Sequence, residues 1–201
     1  MVALALAAAY LVGSIPVGVI VCRLWKGVDP REHGSGNIGA TNVYRLLGPG
    51  PGILVGLLDA GKGAAAVLIC CALAGQVDHA WIGVGGAVAG ILGSNRSIFL
   101  GFQGGKGGMV SLGAGLALVP VVGLLSFAVW LVVLALTRYV SVASMAGGIA
   151  CLLLAYLFHS PQAYQVMCLF IAVSLVVRHR ANIERLRKGT EPKVGRKKTA
   201  G

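Results

Sequence analysis

GMVSLGAGLALVPVVGLLSFAVWLVVLAL, residues 108–136, decides the fold. Its 29 residues carry no charge. As one helix at 1.5 Å per residue it would be about 43 Å long, against a bilayer hydrocarbon core of about 30 Å. Pro120 sits near its middle, so it is either one long tilted helix or two short ones. Charge decides between them. The other apolar runs are Met1–Cys22, Ile53–Ala74, Ala80–Gly93, Val140–Phe158 and Tyr164–Val177. If the chain turns near Pro120 it crosses seven times, and segments 23–50, 94–107, 137–139 and 178–201 share one side. They hold every Lys and Arg except Lys62, which lies within a span. A single helix would put Arg138 and the nine cations after Val177 on the opposite side, against the positive-inside rule. The expected architecture is therefore an all-α integral membrane protein with seven transmembrane helices, N-out and C-in. Several helices are short, and glycine-rich loops lie on the cytoplasmic side.

Composition agrees. Of 201 residues, 57% are hydrophobic and 11% charged, against about 25% charged in a soluble domain. Mean hydropathy is +0.85. A disordered chain is excluded, and the net charge of +11 reads as basic membrane flanks rather than nucleic-acid binding. Met1–Cys22 lacks the basic start of a signal peptide and reads as a retained, unbroken helix. Gly83, Gly86, Gly90 and Gly93 fall on one helical face, which should press against another helix. The five cysteines (22, 70, 71, 151 and 168) sit in apolar runs and read as small buried hydrophobes.

Three polar segments carry the chemistry, all on the cytoplasmic side. In the first, His33 to Arg45, Gly34, Gly36 and Gly39 allow close backbone approach to a ligand. Successive amides in such a loop make an anion nest. Ser35, Asn37, Thr41 and Asn42 add polar groups, and Arg45 a planar cation suited to phosphate. The second, Gly101 to Gly108, places Gly104, Gly105, Lys106 and Gly107 before a helix N-terminus, a phosphate site on physical grounds. It is not a Walker A loop, which disfavours an ATPase. The third begins at Arg178. His179 and Asn182 share a helical face, whereas Glu184 points away from His179 and makes a poor His–Glu dyad. Arg180, Arg185 and Arg187 read as an ordinary basic flank. Asp59 and Lys62, i and i+3 within a span, read either as an ion pair or as part of a phosphate site. Ser141 and Ser144 open the sixth span. No His/Cys spacing suggests a metal. The sum is an anion site that accepts phosphate groups from the cytoplasm and a lipid chain from the bilayer, suited to acyl transfer.

These segments, in this order and spacing, resemble the bacterial acyl-phosphate:glycerol-3-phosphate acyltransferases, the PlsY family. Gly34–Arg45 is similar to its first motif, Gly104–Gly107 to its second and His179–Glu184 to its third. The Asp59-x-x-Lys62-Gly63 step and Gly13-Ser14-Ile15-Pro16 are also similar. The resemblance spans about residue 10 to Glu191. It implies a seven-span bacterial inner-membrane enzyme, working without a cofactor. That enzyme moves a fatty acyl group from acyl-phosphate to the 1-hydroxyl of sn-glycerol 3-phosphate, giving lysophosphatidate and phosphate. It implies Ser35, Arg45, Lys106, His179 and Asn182 as catalytic residues. Gly34, Gly36, Asn37, Gly39, Thr41, Asn42, Lys62, Gly104, Gly105, Gly107 and Ser144 would contact substrate. Ser94 stands where the family usually has a histidine, and Arg96 adds a cation nearby.

The rival readings are an organophosphate transporter, which glycine-rich broken helices also fit, and a non-catalytic scaffold for lipid enzymes. No clear internal repeat favours the transporter. The expected organisation is one membrane-embedded domain, 1–191, working as a monomer among membrane lipids, with a disordered basic tail, 192–201.

Overall fold

The computed structural model describes residues 1–75 and 78–195. Its order is α1 (Val2–Ser14), α2 (Val17–Lys26), α3 (Ala40–Leu47), α4 (Pro49–Ala74), α5 (His79–Asn95), a 3-10 turn (Ile98–Leu100), α6 (Gly108–Leu118), α7 (Pro120–Thr137), α8 (Val140–Leu157), α9 (Gln162–Arg178) and α10 (Arg180–Arg187).

One expectation needs correction. The first apolar run is not an unbroken helix; it breaks at Ile15-Pro16 into α1 and α2. Proline brings no N–H and pushes the residue before it out of helical geometry, here to φ −54°, ψ 118° at Ile15. The carbonyls freed by the break find partners elsewhere. Ser97 Oγ donates to the Ser14 carbonyl at 2.6 Å and Lys62 Nζ to the Ile15 carbonyl at 2.8 Å. An apolar environment requires such substitutes, because no water is there to supply them.

The run 108–136 divides where the charge pattern predicts. α6 ends at Leu118, Val119 leaves helical geometry, and Pro120 takes the first position of α7, where its missing N–H costs nothing. The two helices fold tightly together at this turn. A Cβ on Gly123 would lie 3.1 Å from the Leu116 amide nitrogen.

The α5 glycines form a packing face, as expected, but against several helices. Gly86 and Gly90 accept Ala66 and Cys70 of α4, Gly93 lies on the Tyr10 carbonyl of α1, and Gly83 meets Leu118 of α6. The main core joins α4 to α9 through Val67, Ile91, Val110, Met167 and Cys168. Outward faces stay apolar, with Leu57, Leu68, Leu131 and Leu153 exposed. That pattern fits lipid rather than water around the bundle.

By length and composition Val2–Lys26, Pro49–Ala74, Pro120–Thr137 and Val140–Leu157 suffice to cross a membrane. Gln162–Arg178 with Arg180–Arg187, bent by 52°, makes a fifth, and Gly108–Leu118 is a shorter apolar helix. The last described residues lie against the α7–α8 turn. The Val194 amide donates to the Arg138 carbonyl at 2.9 Å, and the Lys193 ammonium sits 5.2 Å from the centre of the Tyr139 ring. The rest of the expected tail, 196–201, lies outside the described residues.

Candidate active site

The first polar loop is set by one buried side chain. Asn42, on α3, donates from Nδ2 to the carbonyls of Pro30 (2.9 Å) and His33 (3.0 Å), and its Oδ1 accepts from the Ser35 amide (3.0 Å). Its amide is thereby engaged within the loop, so its part is to hold Ser35 in place. Asn37 Oδ1 accepts from the Gly39 amide at 2.9 Å, a local turn that leads into α3. Gly34 and Gly36 have φ of +63° and +69°, a backbone region that L side chains rarely adopt. Arg45 projects from the last turn of α3 and its side chain is exposed at the rim of the site.

The second loop is held from behind. Gly104 lies on the backbone of Ser94 and Asn95, and the Gly105 amide donates to the Ser94 carbonyl at 3.0 Å. Arg178 Nη2 donates to the carbonyls of Gly105 (2.6 Å) and Gly104 (3.2 Å). This carbonyl-side clamp leaves the other face of the loop, and Lys106, to the cavity. Gly107, at φ +73°, precedes α6.

The third segment supplies the opposite wall. Lys106 Nζ donates to Asn182 Oδ1. Asn182 Nδ2 in turn donates to Glu191 Oε1 at 2.6 Å. Glu191 also accepts from Ser141 Oγ (2.7 Å) and Arg185 Nε (2.8 Å). His179 occupies the bend between α9 and α10, with Nδ1 2.7 Å from the Leu175 carbonyl. A carbonyl only accepts, so Nδ1 carries the proton and Nε2 is left as an acceptor.

These segments meet around one cavity of about 260 Å³. Of the expected site residues, Ser35, Asn37, Gly39, Thr41, Asn42, Arg45, Lys62, Gly105, Lys106, Gly107, Ser144, His179 and Asn182 line it. Gly34, Gly36 and Gly104 support the loops without lining it. Asp59 and Lys62 pair at 2.8 Å, and Lys62 also bonds Ile15, so it serves the α1–α2 break as well as the cavity wall. Ser144 accepts from Trp130 Nε1 at 3.3 Å. Glu184 pairs with exposed Lys188, away from His179.

The lining combines the polar groups around Lys106, His179 and Asn182 with apolar Leu112, Phe127, Cys151 and Ile171. Ile171 lies eight residues before His179 on α9, about 12 Å along the helix at 1.5 Å per residue. Burial pushes the Lys106 ammonium down to about 8, with Arg185, Arg45 and Arg178 pushing the same way and Glu191 opposing. Burial, reinforced by Lys106, pushes His179 down to about 4, so its imidazole is neutral at pH 7. Burial lowers Arg45 as well, against the attraction of Glu191. For Glu191, burial acts to raise the pKa, but the hydrogen bonds from Ser141, Asn182 and Arg185 outweigh it and hold the carboxyl below its usual range. An excess of positive charge thus faces a half-dry cavity, which suits an anionic ligand with an apolar tail.

Two residues that hold this geometry carry no role in the sequence reading. Arg178 opens the third polar segment there without a role of its own, and Glu191 only marks the end of the domain. The available signal was that Glu191 is one of only two acids among the nine cations after Val177.

A family model described as glycerol-3-phosphate acyltransferase matches residues 3–189. The chain is 46% identical over 196 residues to the glycerol-3-phosphate acyltransferase of Synechococcus sp. (strain JA-2-3B'a(2-13)), covering 98% of this chain and 96% of that one. It is 47% identical over 188 residues to the enzyme of the same name from a strain of Thermus thermophilus, covering 93% and 92%. Among solved structures it resembles PlsY, an integral membrane glycerol 3-phosphate acyltransferase, in its glycerol 3-phosphate form (TM-score 0.88, 39% identity, 96% of each chain). It also resembles the lysophosphatidic acid form of that protein (TM-score 0.86, 38% identity, 96% of this chain and 95% of that one). The likeness therefore covers sequence, fold and nearly the whole length, and the chain belongs to the glycerol-3-phosphate acyltransferase family.

Proposed function

We propose that the chain transfers a fatty acyl group from acyl-phosphate to the 1-hydroxyl of glycerol 3-phosphate, at the cytoplasmic face of a bacterial inner membrane. The observation that carries the donor assignment is one cavity lined both by the cations Arg45 and Lys106 and by apolar Leu112, Cys151 and Ile171. An acyl-phosphate has that polarity.

In this reading Ser35, Arg45 and Lys106 hold the two phosphates, and the loop at Gly104, Gly105 and Gly107 brings its amides to the anion. The acceptor hydroxyl oxygen attacks the acyl carbonyl carbon, an ester bond forms, and the acyl–phosphate C–O bond breaks. The cations stabilise the charge that collects on the carbonyl oxygen and the departing phosphate. Lys106 is steered by Asn182, and Asn182 by Glu191. A phosphate monoester, with a second pKa of about 6, is a stronger base than an imidazole held near 4. A substrate phosphate oxygen therefore takes the hydroxyl proton, while His179 Nε2 accepts a hydrogen bond and orients.

The topology proposed with this reaction has seven spans, N-out and C-in: α1–α2 as one, then α4, α5, α6, α7, α8 and α9. The distribution of Lys and Arg supports it. Residues 1–191 make one membrane-embedded unit that works as a monomer, with 192–201 a basic tail near anionic lipid.

The deciding assay follows phosphate release from palmitoyl phosphate by the purified, detergent-solubilised protein, with and without glycerol 3-phosphate. Release that needs the acceptor, and that is lost in Lys106→Ala, is expected. Release indifferent to the acceptor would make the protein a hydrolase, and no release from a folded sample would end the acyl-transfer reading.

A further inference from the structure

Gly113 and Gly115 sit two residues apart on α6, and only one has a packing reason to be glycine. A Cβ on Gly113 would collide with the Ala60 carbonyl of α4. A Cβ on Gly115 would meet nothing within 4 Å, although Gly115 is buried. Gly115 therefore borders empty internal space. That space is the cavity, since Gly108, Ser111 and Gly115 (i, i+3, i+7) share a helix face and all line it. Each of the other cavity-lining glycines has a neighbour within 4 Å of its Cβ position. Gly147 meets Ser126 and Trp130, Gly148 meets Leu175 and Gly123 meets Leu116.

Gly115 also lies at the apolar end. It is seven residues along α6 from Gly108, roughly 10 Å at 1.5 Å per residue. Lys106 marks the opposite, cationic end. Along α8 the lining passes from Ser141, bonded to Glu191, to Cys151.

We propose that Gly115 sets the acyl-chain length this enzyme accepts: its missing side chain leaves room for the distal methylenes of a long chain whose phosphate is held at Lys106 and Arg45. The inference rests on the acyl-phosphate reading. A Leu at 115 would project into space that a long chain uses and a short chain does not. Gly115 touches neither reacting group, so its effect is on specificity rather than on chemistry.

The test measures kcat/KM for octanoyl, dodecanoyl and palmitoyl phosphate with saturating glycerol 3-phosphate, in wild type, Gly115→Ala and Gly115→Leu. Gly115→Leu should lower the palmitoyl-to-octanoyl ratio at least about tenfold, the scale on which pockets discriminate methylenes. Octanoyl transfer should stay within about twofold of wild type, which also shows that the variant is folded. Gly115→Ala, with open space around its methyl, should shift the ratio the same way by less. Should Gly115→Leu fail to fold, the alanine variant decides. Equal loss for all donors, or an unchanged ratio in both variants, overturns the proposal and leaves acyl transfer standing. Absence of acceptor-dependent release from every donor in wild type would instead overturn the acyl-transfer reading, and this inference with it.

Discussion

The α1–α4–α5 packing is closed by backbone on backbone, whereas the space between the α3–α4 segment and α6 to α9 is held open, and glycine serves both. On the closed side Gly13 lies on Gly90, Gly86 on Ala66 and Gly93 on Tyr10. Small residues there let helix axes approach until main chains touch, the usual means of association where lipid removes the hydrophobic drive. On the open side Gly115 borders space, and the polar groups converge on Lys106, with none of its neighbours filling the cavity. A glycine-rich membrane sequence is thus ambiguous by itself. What distinguishes scaffold from site is whether a neighbour occupies the place of the absent Cβ.

The sharpest break in that symmetry is Lys106→Ala. It removes a cation from the open side and leaves every closed-side contact intact. Removing one such electrostatic contact lowers kcat by about a hundred- to a thousandfold, and a detergent thermal melt should move by no more than a degree or two. Loss of activity together with collapse of the melt would mean that the lysine is structural.

The next effect is graded with pH. Burial pushes the Lys106 ammonium down to about 8, and the charged form is the one that attracts phosphate. Since kcat/KM reports the free enzyme's groups, it should be level between about pH 6.5 and 7.5 and fall up to tenfold per unit above about 8. A profile flat to pH 10 would show that the lysine charge is not needed for capture.

The closed side answers to a different measurement. Gly93→Ala puts a methyl against the Tyr10 carbonyl and 2.9 Å from the Ser14 amide nitrogen, both backbone and unable to swing aside. Overpacking of this kind costs about 1–3 kcal/mol. The melt should fall while kcat of the folded fraction keeps its wild-type value. Gly115→Ala should leave the melt unchanged.

What the sequence made legible follows the same division. Helix limits in α4, α5, α8 and α9 fall within a few residues of the apolar runs, because charge and hydropathy fix where a helix leaves lipid. The break at Pro120 was legible from length and charge side. The equally real break at Pro16 was not, because its freed carbonyls are met by Ser97 and Lys62, distant in sequence and unreadable as partners. In the site, the loop residues were legible as glycine, cation and amide in register. The roles of Arg178 and Glu191 were not, because a clamp on carbonyls and a buried acid depend on which loop the fold brings opposite.

Glu191 and Glu184 give the finest test, since the same side chain occurs twice within eight residues with opposite surroundings. Glu191 is 8% exposed and accepts from Ser141, Asn182 and Arg185. Glu191→Ala would leave buried donors unpaired at a cost of about 1–3 kcal/mol and release Asn182 from the position that steers Lys106. Its folded-state pKa lies below the ordinary value. The stabilisation it supplies is therefore present above the unfolded carboxyl pKa and is lost as pH falls through the folded one, so the wild-type melt should drop in acid more steeply than that of Glu191→Ala. Glu184 pairs with Lys188 at 2.7 Å, but both side chains are about two-thirds exposed. Exposed pairs of this kind contribute within about 0.5 kcal/mol, and the carboxylate points away from His179. Glu184→Ala should leave kcat, KM and the melt within error of wild type. A hundredfold loss of kcat would restore a His179–Glu184 dyad and move the proton acceptor from the substrate phosphate to the imidazole.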